Sequence, residues 1–238
     1  MSKLPRKISP CPIVEAVVEI RFDANIEADA IFGILYQEVK DKYPGPVEKL
    51  PILQIPEEIR SQDNALKKQP YYKLSHNNLS LSIGPKVFSI SCYKDYIGWE
   101  EFSKVIEETL GIVDTLKIVT QVERFGLRYV NFFEEMDIFD NIVVQITKND
   151  QPMDCDGKYI RVKNHIDQII STIQIANKAK LRGGVKGGSI VDIDVSAKEP
   201  ITFFENRTQL IKNCHEMEKK SFFELLTKNF LETLNPEY

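Results

Sequence analysis

Three histidines, four cysteines and one tryptophan are all that 238 residues supply of the residue types that most often mark a reactive centre. The cysteines, Cys11, Cys92, Cys155 and Cys214, include no C-x-x-C pair and sit among apolar neighbours. That excludes a disulfide framework and reads as reduced, mostly buried thiols, which fits the cytoplasm. His76, His165 and His215 show no H-E-x-x-H spacing, and no serine sits in a G-x-S-x-G turn, so neither a zinc protease nor a nucleophilic triad is expected. No apolar run approaches the ~20 residues that a membrane-spanning helix needs. Met1 to Lys7 carries charge without a following apolar stretch, so no secretory leader and no membrane contact are expected. Charge of one sign is lacking as well. Lys+Arg 31 against Asp+Glu 35 leaves a net charge of -4, which provides no global field for a polyanion, so a nucleic acid would need a local patch.

What is present is the composition of a folded protein, 42% hydrophobic and 28% charged, with enough apolar surface to form a core. Ile13 to Phe22 is rich in β-branched residues. Strict alternation puts Glu15, Val17, Glu19 and Arg21 on one face and Val14, Ala16, Val18, Ile20 and Phe22 on the other. Ile31, Phe32, Leu35, Tyr36 and Val39 recur at helical spacing before Tyr43-Pro44-Gly45-Pro46 stops the run. A polar stretch from Gln54 to Pro70, with Pro56 and Asn64, predicts a loop or an irregular excursion. Tyr71–Leu74, Leu79–Ile83 and Val87–Tyr93 predict a meander, and Phe102, Val105, Ile106, Thr109, Leu110 and Val113 predict a second helix after Gly98.

That order repeats in outline: a strand over Val122–Phe133, a short helical or irregular piece around Met136–Asp140, then strands over Tyr159–Ile166, Ile169–Ala179 and Ser189–Ala197 and a long helix from Asn206 to Leu234. The expected fold is α+β, with two tandem β-α-β-β-β-α halves, residues 1–119 and 120–238, in one compact unit. Their strands would form an antiparallel sheet or a partly closed barrel with helices packed against it.

Three constellations carry potential chemistry. Glu15, Glu19 and Arg21, with Arg124, Arg128 and Asn131 on the opening strand of the second half, would face one another as a carboxylate and guanidinium network if those strands pair. The alternative is a solvated sheet face with ordinary ion pairs. Asp192 and Asp194 share one strand face, where they would bind a divalent cation or act as acid and base, or else form the exposed face of an antiparallel strand or anchor arginines of a neighbouring one. Lys178, Lys180, Arg182 and Lys186, among the glycines of Lys178–Gly188, would make an anion loop or a plain mobile hairpin; the P-loop spacing is missing. No catalytic residue, metal site or cofactor is assigned. His215, beside Cys214, reads as a packing or capping residue.

Taken together, Pro12-Ile-Val-Glu-Ala-Val-Val-Glu-Ile-Arg-Phe22, Gly98-Trp-Glu-Glu-Phe102, Arg124-Phe-Gly-Leu-Arg-Tyr-Val-Asn131, Asp192-Ile-Asp-Val195 and His215 with Phe222-x-x-Leu225-Leu-Thr227 resemble a sporadically distributed family of uncharacterised bacterial and archaeal proteins of about this length. The resemblance implies that Glu15, Glu19, Arg21, Arg128, Tyr129, Asn131, Asp192, Asp194 and His215 belong to a shared pattern, and that the basic loop does not. Patchy distribution of that kind implies an accessory role in bacterial defence or conflict.

The expected function is a non-catalytic interaction or ligand-sensing protein acting on a protein partner, on copies of itself, or on a small anionic ligand. The first alternative is a metal-dependent phosphohydrolase of the triphosphate-tunnel kind, using Glu15, Glu19, Arg21, Arg128, Arg161, Lys163, Asp192 and Asp194 inside a barrel, although the E-x-E-x-K signature of such tunnels is missing. The second is a nucleic-acid-binding accessory using Lys178 to Lys186 with Tyr93 and Tyr96, which the net acidity disfavours.

Overall fold

Alternation of β-branched and charged residues produces β1 (Ile13–Ala24), in which Ala16, Val18, Ile20 and Phe22 are fully buried. The computed structural model describes residues 4–153, 155–181, 183–198 and 202–238. After β1 come α1 (Ala28–Val39), the two-residue β2 (Glu48–Lys49), a 3-10 turn at Pro51–Gln54, and the short helices α2 (Glu57–Gln62) and α3 (Asn64–Lys67). The meander follows as β3 (Tyr72–His76), β4 (Leu79–Gly84) and β5 (Val87–Tyr93), then α4 (Trp99–Thr115) and the long β6 (Val119–Glu134). A single 3-10 turn, Ile138–Asp140, precedes the small hairpin β7 (Thr147–Lys148) and β8 (Gln151–Pro152). The chain closes with β9 (Tyr159–Ile166), β10 (Ile169–Lys180), β11 (Gly187–Lys198), α5 (Phe203–Leu225) and α6 (Lys228–Thr233).

The fold is α+β. Nine strands make one antiparallel sheet in the order β2-β3-β4-β5-β1-β6-β11-β10-β9, and β7 with β8 makes a separate two-stranded one. The barrel alternative is corrected: the order has two ends, β2 and β9, and the sheet is not closed. Among the described residues no helix is long and apolar enough to cross a membrane.

The chain divides into two compact units. One runs from Glu15 to Leu127 and includes the segment Ser196–Ile211. Its core pairs Ile20 with Phe88 and Val18 with Ile90, and continues through Phe88 to Ile83 and Ile90 to Leu81, so one sheet face is apolar from strand to strand. Phe102, Ile106, Leu110 and Val113 make the stripe of α4 that is buried. Gly98 enters that helix at φ 85, a conformation that costs glycine little. The other unit holds the chain up to Val14, from Arg128 to Val195 and from Lys212 onward. Phe133 packs on Phe230 with ring centroids 5.7 Å apart.

Three expectations are adjusted. The Gln54–Pro70 stretch is not a plain loop: Pro56 starts α2, and the Asp63 carboxylate accepts from the Ala65 and Leu66 amides to start α3. Helices of this length have no room for an apolar stripe, so periodicity misses them. The terminal helix is two helices. Leu226 makes an isolated bridge with Ile142, and the Thr227 hydroxyl then caps α6 at the Phe230 amide, 3.3 Å away. The basic hairpin is shorter than Lys178–Gly188, because Lys178 and Lys180 lie within β10 and Gly187 and Gly188 within β11.

Candidate functional site

In the unit that contains β1, the face opposite the core is a polar ladder. Pairing registers line up Glu19, Ser89, Ser82, Lys73 and Glu48 in one row across five strands. The next row holds Val17, Ser91, Ser80 and Ser75. Glu19 accepts hydrogen bonds from Arg21 Nε at 2.8 Å and from Arg124 Nη1 at 3.1 Å. The Arg124 guanidinium lies over Gly126, where a Cβ would strike it. Val122 and Phe125 are both buried, a step of three where strict alternation gives two, and between them Glu123 and Arg124 leave the core. Glu123 is taken by Lys68 at 2.5 Å. Glu15 is half-buried opposite Tyr93. Three predicted residues, Glu19, Arg21 and Arg124, thus meet.

The serines were missed by sequence reasoning. Their signal is the alternation Ser80-x-Ser82 and Ser89-x-Ser91 inside strands read only for their apolar partners. Ser80 is 2% exposed and Ser89 9% exposed, so hydroxyls stand on a face that the chain itself partly covers.

In the other unit, Arg128 makes a bidentate pair with Asp192: Nε to Oδ1 and Nη2 to Oδ2, both 2.7 Å. Gln174 Nε2 donates to the same Oδ2 at 3.1 Å, and Tyr159 Oη donates to Gln174 Oε1 at 2.7 Å. The chain Tyr159, Gln174, Asp192, Arg128 therefore crosses β9, β10, β11 and β6. Planar fork geometry is what makes such pairs strong. Asp194, two residues on, is half-buried on the same strand face. Asn131 is placed differently from the expected polar face. It is three residues from Arg128, points to the other side of β6, is 2% exposed, and donates to the Val191 carbonyl at 3.2 Å.

The basic segment is largely compensated by acid. Lys178 pairs with Asp156 at 2.6 Å, and Lys186 pairs with Glu134 and Glu135 at 2.9 Å each, which raises the Lys186 ammonium above its ordinary range. Lys180 is exposed, and Arg182 lies outside the described residues. Gly188 serves packing: a Cβ there would strike the Phe133 carbonyl oxygen.

Helix α5 carries the other polar cluster of this unit. His215 sits mid-helix rather than at a cap, half-buried, with Nδ1 3.5 Å from the Tyr129 hydroxyl. Burial, aided by the Lys219 charge, lowers its imidazole from 6.5 to about 3. One helical turn on, Glu218 is 6% exposed, and burial raises its carboxyl from 4.5 to about 8. Among the described residues no group of three or more His, Cys, Asp and Glu is gathered to hold a metal ion.

A groove of about 590 Å³ in the first unit is lined by Lys117, Thr120, Gln121, Phe203 and Glu205 among others. Its wall carries both signs of charge and so selects no ionic ligand class. No protein-family model matches this chain, and no curated protein matches it.

Proposed function

We propose that this protein is a non-catalytic binding protein that holds a protein partner on its open sheet. The observation that carries this reading is the end of the sheet at β9, where seven of eight residues are exposed. An unpaired, solvent-facing strand is a template for another strand. The ion pairs support the same reading from another side. In one unit Glu19 is held by Arg21 and Arg124, and in the other Arg128 holds Asp192, which suits stiff recognition surfaces better than groups that must give up or take a proton. The half-buried hydroxyls of Ser75, Ser82 and Ser91 offer a second surface, for a small polar or anionic ligand.

The reading of two tandem halves, 1–119 and 120–238, draws support from strand order. Apart from the two-residue β2 at one end, the order of strands inward is the same on both sides, β3-β4-β5-β1 and β9-β10-β11-β6. The family resemblance supplies a setting, an accessory component of a bacterial defence or conflict system in the cytoplasm.

The test is reconstitution. Co-expression with the products of adjacent genes, followed by analytical ultracentrifugation, is expected to give a stoichiometric complex. A protein that stays monomeric beside every neighbour, and that releases phosphate from triphosphate with magnesium in a reaction lost on Glu19→Ala, would overturn the reading in favour of a phosphohydrolase.

A further inference from the structure

We propose that β9 binds its partner by strand addition, and that the added strand is an extended segment alternating acidic and apolar residues. This rests on the reading of the chain as a binding protein and specifies which chemistry it binds.

Three observations meet at β9. The first is its edge. β9 pairs with β10 on one side only, through the register Ile160 with Ile175, Val162 with Ile173, Ser171 with Asn164 and Ile169 with Ile166. It is eight residues long and contains no proline, and the charges that it does carry, Arg161 and Lys163, turn away only a strand of like charge.

The second is the apolar side. Alternation places Ile160, Val162, Asn164 and Ile166 on one face beside Ile175, Ile173, Ser171 and Ile169, so three of these four cross-strand pairs are aliphatic and one is polar. That stripe starts from Ile175, 1% exposed, and runs outward to Val162 at 43% and Ile166 at 50%. The core of this unit therefore continues to the rim of the sheet and stops there uncovered. Apolar side chains from one more strand would extend it by the same pleat.

The third is charge. The opposite face of β9 carries Tyr159, Arg161, Lys163 and His165, and no Asp or Glu lies between Tyr159 and Ile166. Side chains directly across a strand pair stand close enough for opposite charges to attract and like charges to repel. An added strand thus meets Arg161 and Lys163 on one face and Ile160, Val162 and Ile166 around Asn164 on the other, and its complement is acid alternating with apolar. A second copy of this chain does not fit. A two-fold axis through the middle of β9 would set Arg161 against itself, Arg161 against Lys163, or Lys163 against itself.

The experiment uses the full chain and a fluorescently labelled, end-blocked peptide of alternating Glu and Val, read by anisotropy. Binding is expected, weakening as salt rises, and the Arg161→Glu, Lys163→Glu double variant is expected to lose at least about tenfold in affinity as two attractive pairs become repulsive. Both residues are exposed, and a thermal melt of the variant checks that the loss is not unfolding. Only alternate N–H groups of an added strand point at its neighbour. Methylation of the Glu amides and methylation of the Val amides should therefore differ, one abolishing binding and the other sparing it.

Equal binding of a Lys and Val peptide, equal tolerance of both methylation patterns, or no binding at all would overturn the proposal. So would a dimer of the chain that Val162→Glu breaks apart. If the peptide fails while a complex with a neighbouring gene product forms and survives the double variant, strand addition falls and the binding-protein reading stands. If no neighbour product binds but the peptide does, the proposal holds for a partner encoded elsewhere.

Discussion

The two ends of the sheet are built on opposite plans. At one, β2 is two residues long, follows Pro44 and Pro46, and runs straight into Pro51; at the other, β9 is eight residues long without a proline. The units that contain them differ in the same direction. In the unit of β2, the buried polar residues among those described are uncharged, among them Ser80, Ser89 and Thr109. In the unit of β9, Asp192 and Glu218 are buried as well. A short, proline-flanked edge over an apolar core is what stability alone selects. A bare edge beside buried charge carries a cost, and costly features concentrate where function needs them.

The largest effect is expected where the protected edge is pinned. A Cβ on Gly84 would come within 2.5 Å of the Gln69 carbonyl oxygen and 2.9 Å of Pro70 Cα. The residue that follows, Tyr71, donates to Ile83 O and accepts from Leu50 N, both at 2.9 Å, and so ties β2 to the sheet. Gly84→Ala should therefore cost about 3 kcal/mol or more, the upper range of overpacking, and expose a second strand edge. Urea unfolding measures the loss and light scattering the aggregation. Gly157→Ala, just before β9, meets nothing within 4 Å and should leave both unchanged.

The buried titratable groups in the unit of β9 are read by pH. The Glu218 carboxyl, raised by burial from 4.5 to about 8, keeps in the folded state a proton that the unfolded chain releases. The stability it contributes is complete below pH 4.5 and is lost as pH rises toward 8. His215, lowered from 6.5 to about 3, has the opposite sign: its contribution is complete above 6.5 and is lost as pH falls. The two slopes cancel between 4.5 and 6.5, which predicts a plateau there with a decline on each side. Glu218→Gln should remove the alkaline decline and raise stability at pH 8. A melting temperature that stays flat from pH 6.5 to 8 in the unmodified protein would sink this account.

A smaller loss should follow from Arg128→Ala. Asp192, whose side chain is 8% exposed, would keep only the Gln174 bond, while the lost arginine is itself 46% exposed. Hydrogen bonds to a charged group are worth roughly 1.5–3 kcal/mol; with the guanidinium half in water, about 2 kcal/mol is expected. Arg128→Lys should recover only part of it, since an ammonium cannot make the fork. The comparison between units is sharpened by Arg124→Ala, which leaves Glu19 still bonded to Arg21 and should cost less.

Much of this was legible beforehand because it is local. The two faces of β1 follow from alternation alone, and α4 from its stripe. The residue types of the Arg128 and Asp192 pair were legible as well, but their meeting depends on β6 lying beside β11, which no spacing encodes. Glu218 was hidden among the charges of Glu216–Lys220, although the buried positions Cys214, Glu218 and Phe222 recur at steps of four and mark it as inward-facing. The edge position of β9 is the clearest limit. Its residues read as an ordinary strand, and only the order of nine strands leaves it last.

The smallest thermodynamic effect tests that last point. Val162→Lys replaces a side chain 43% exposed on β9, so unfolding free energy should change by less than about 0.5 kcal/mol, as for other surface substitutions. Charge on an edge nevertheless opposes pairing with another strand. The variant should therefore aggregate more slowly during heating although it melts at the same temperature. Ile59→Lys is the matched control: Ile59 is 53% exposed and lies in helix α2, not in a strand. If both variants slow aggregation equally, the liability is general surface apolarity; if only Val162→Lys does, it is the unpaired backbone of β9 that other chains find.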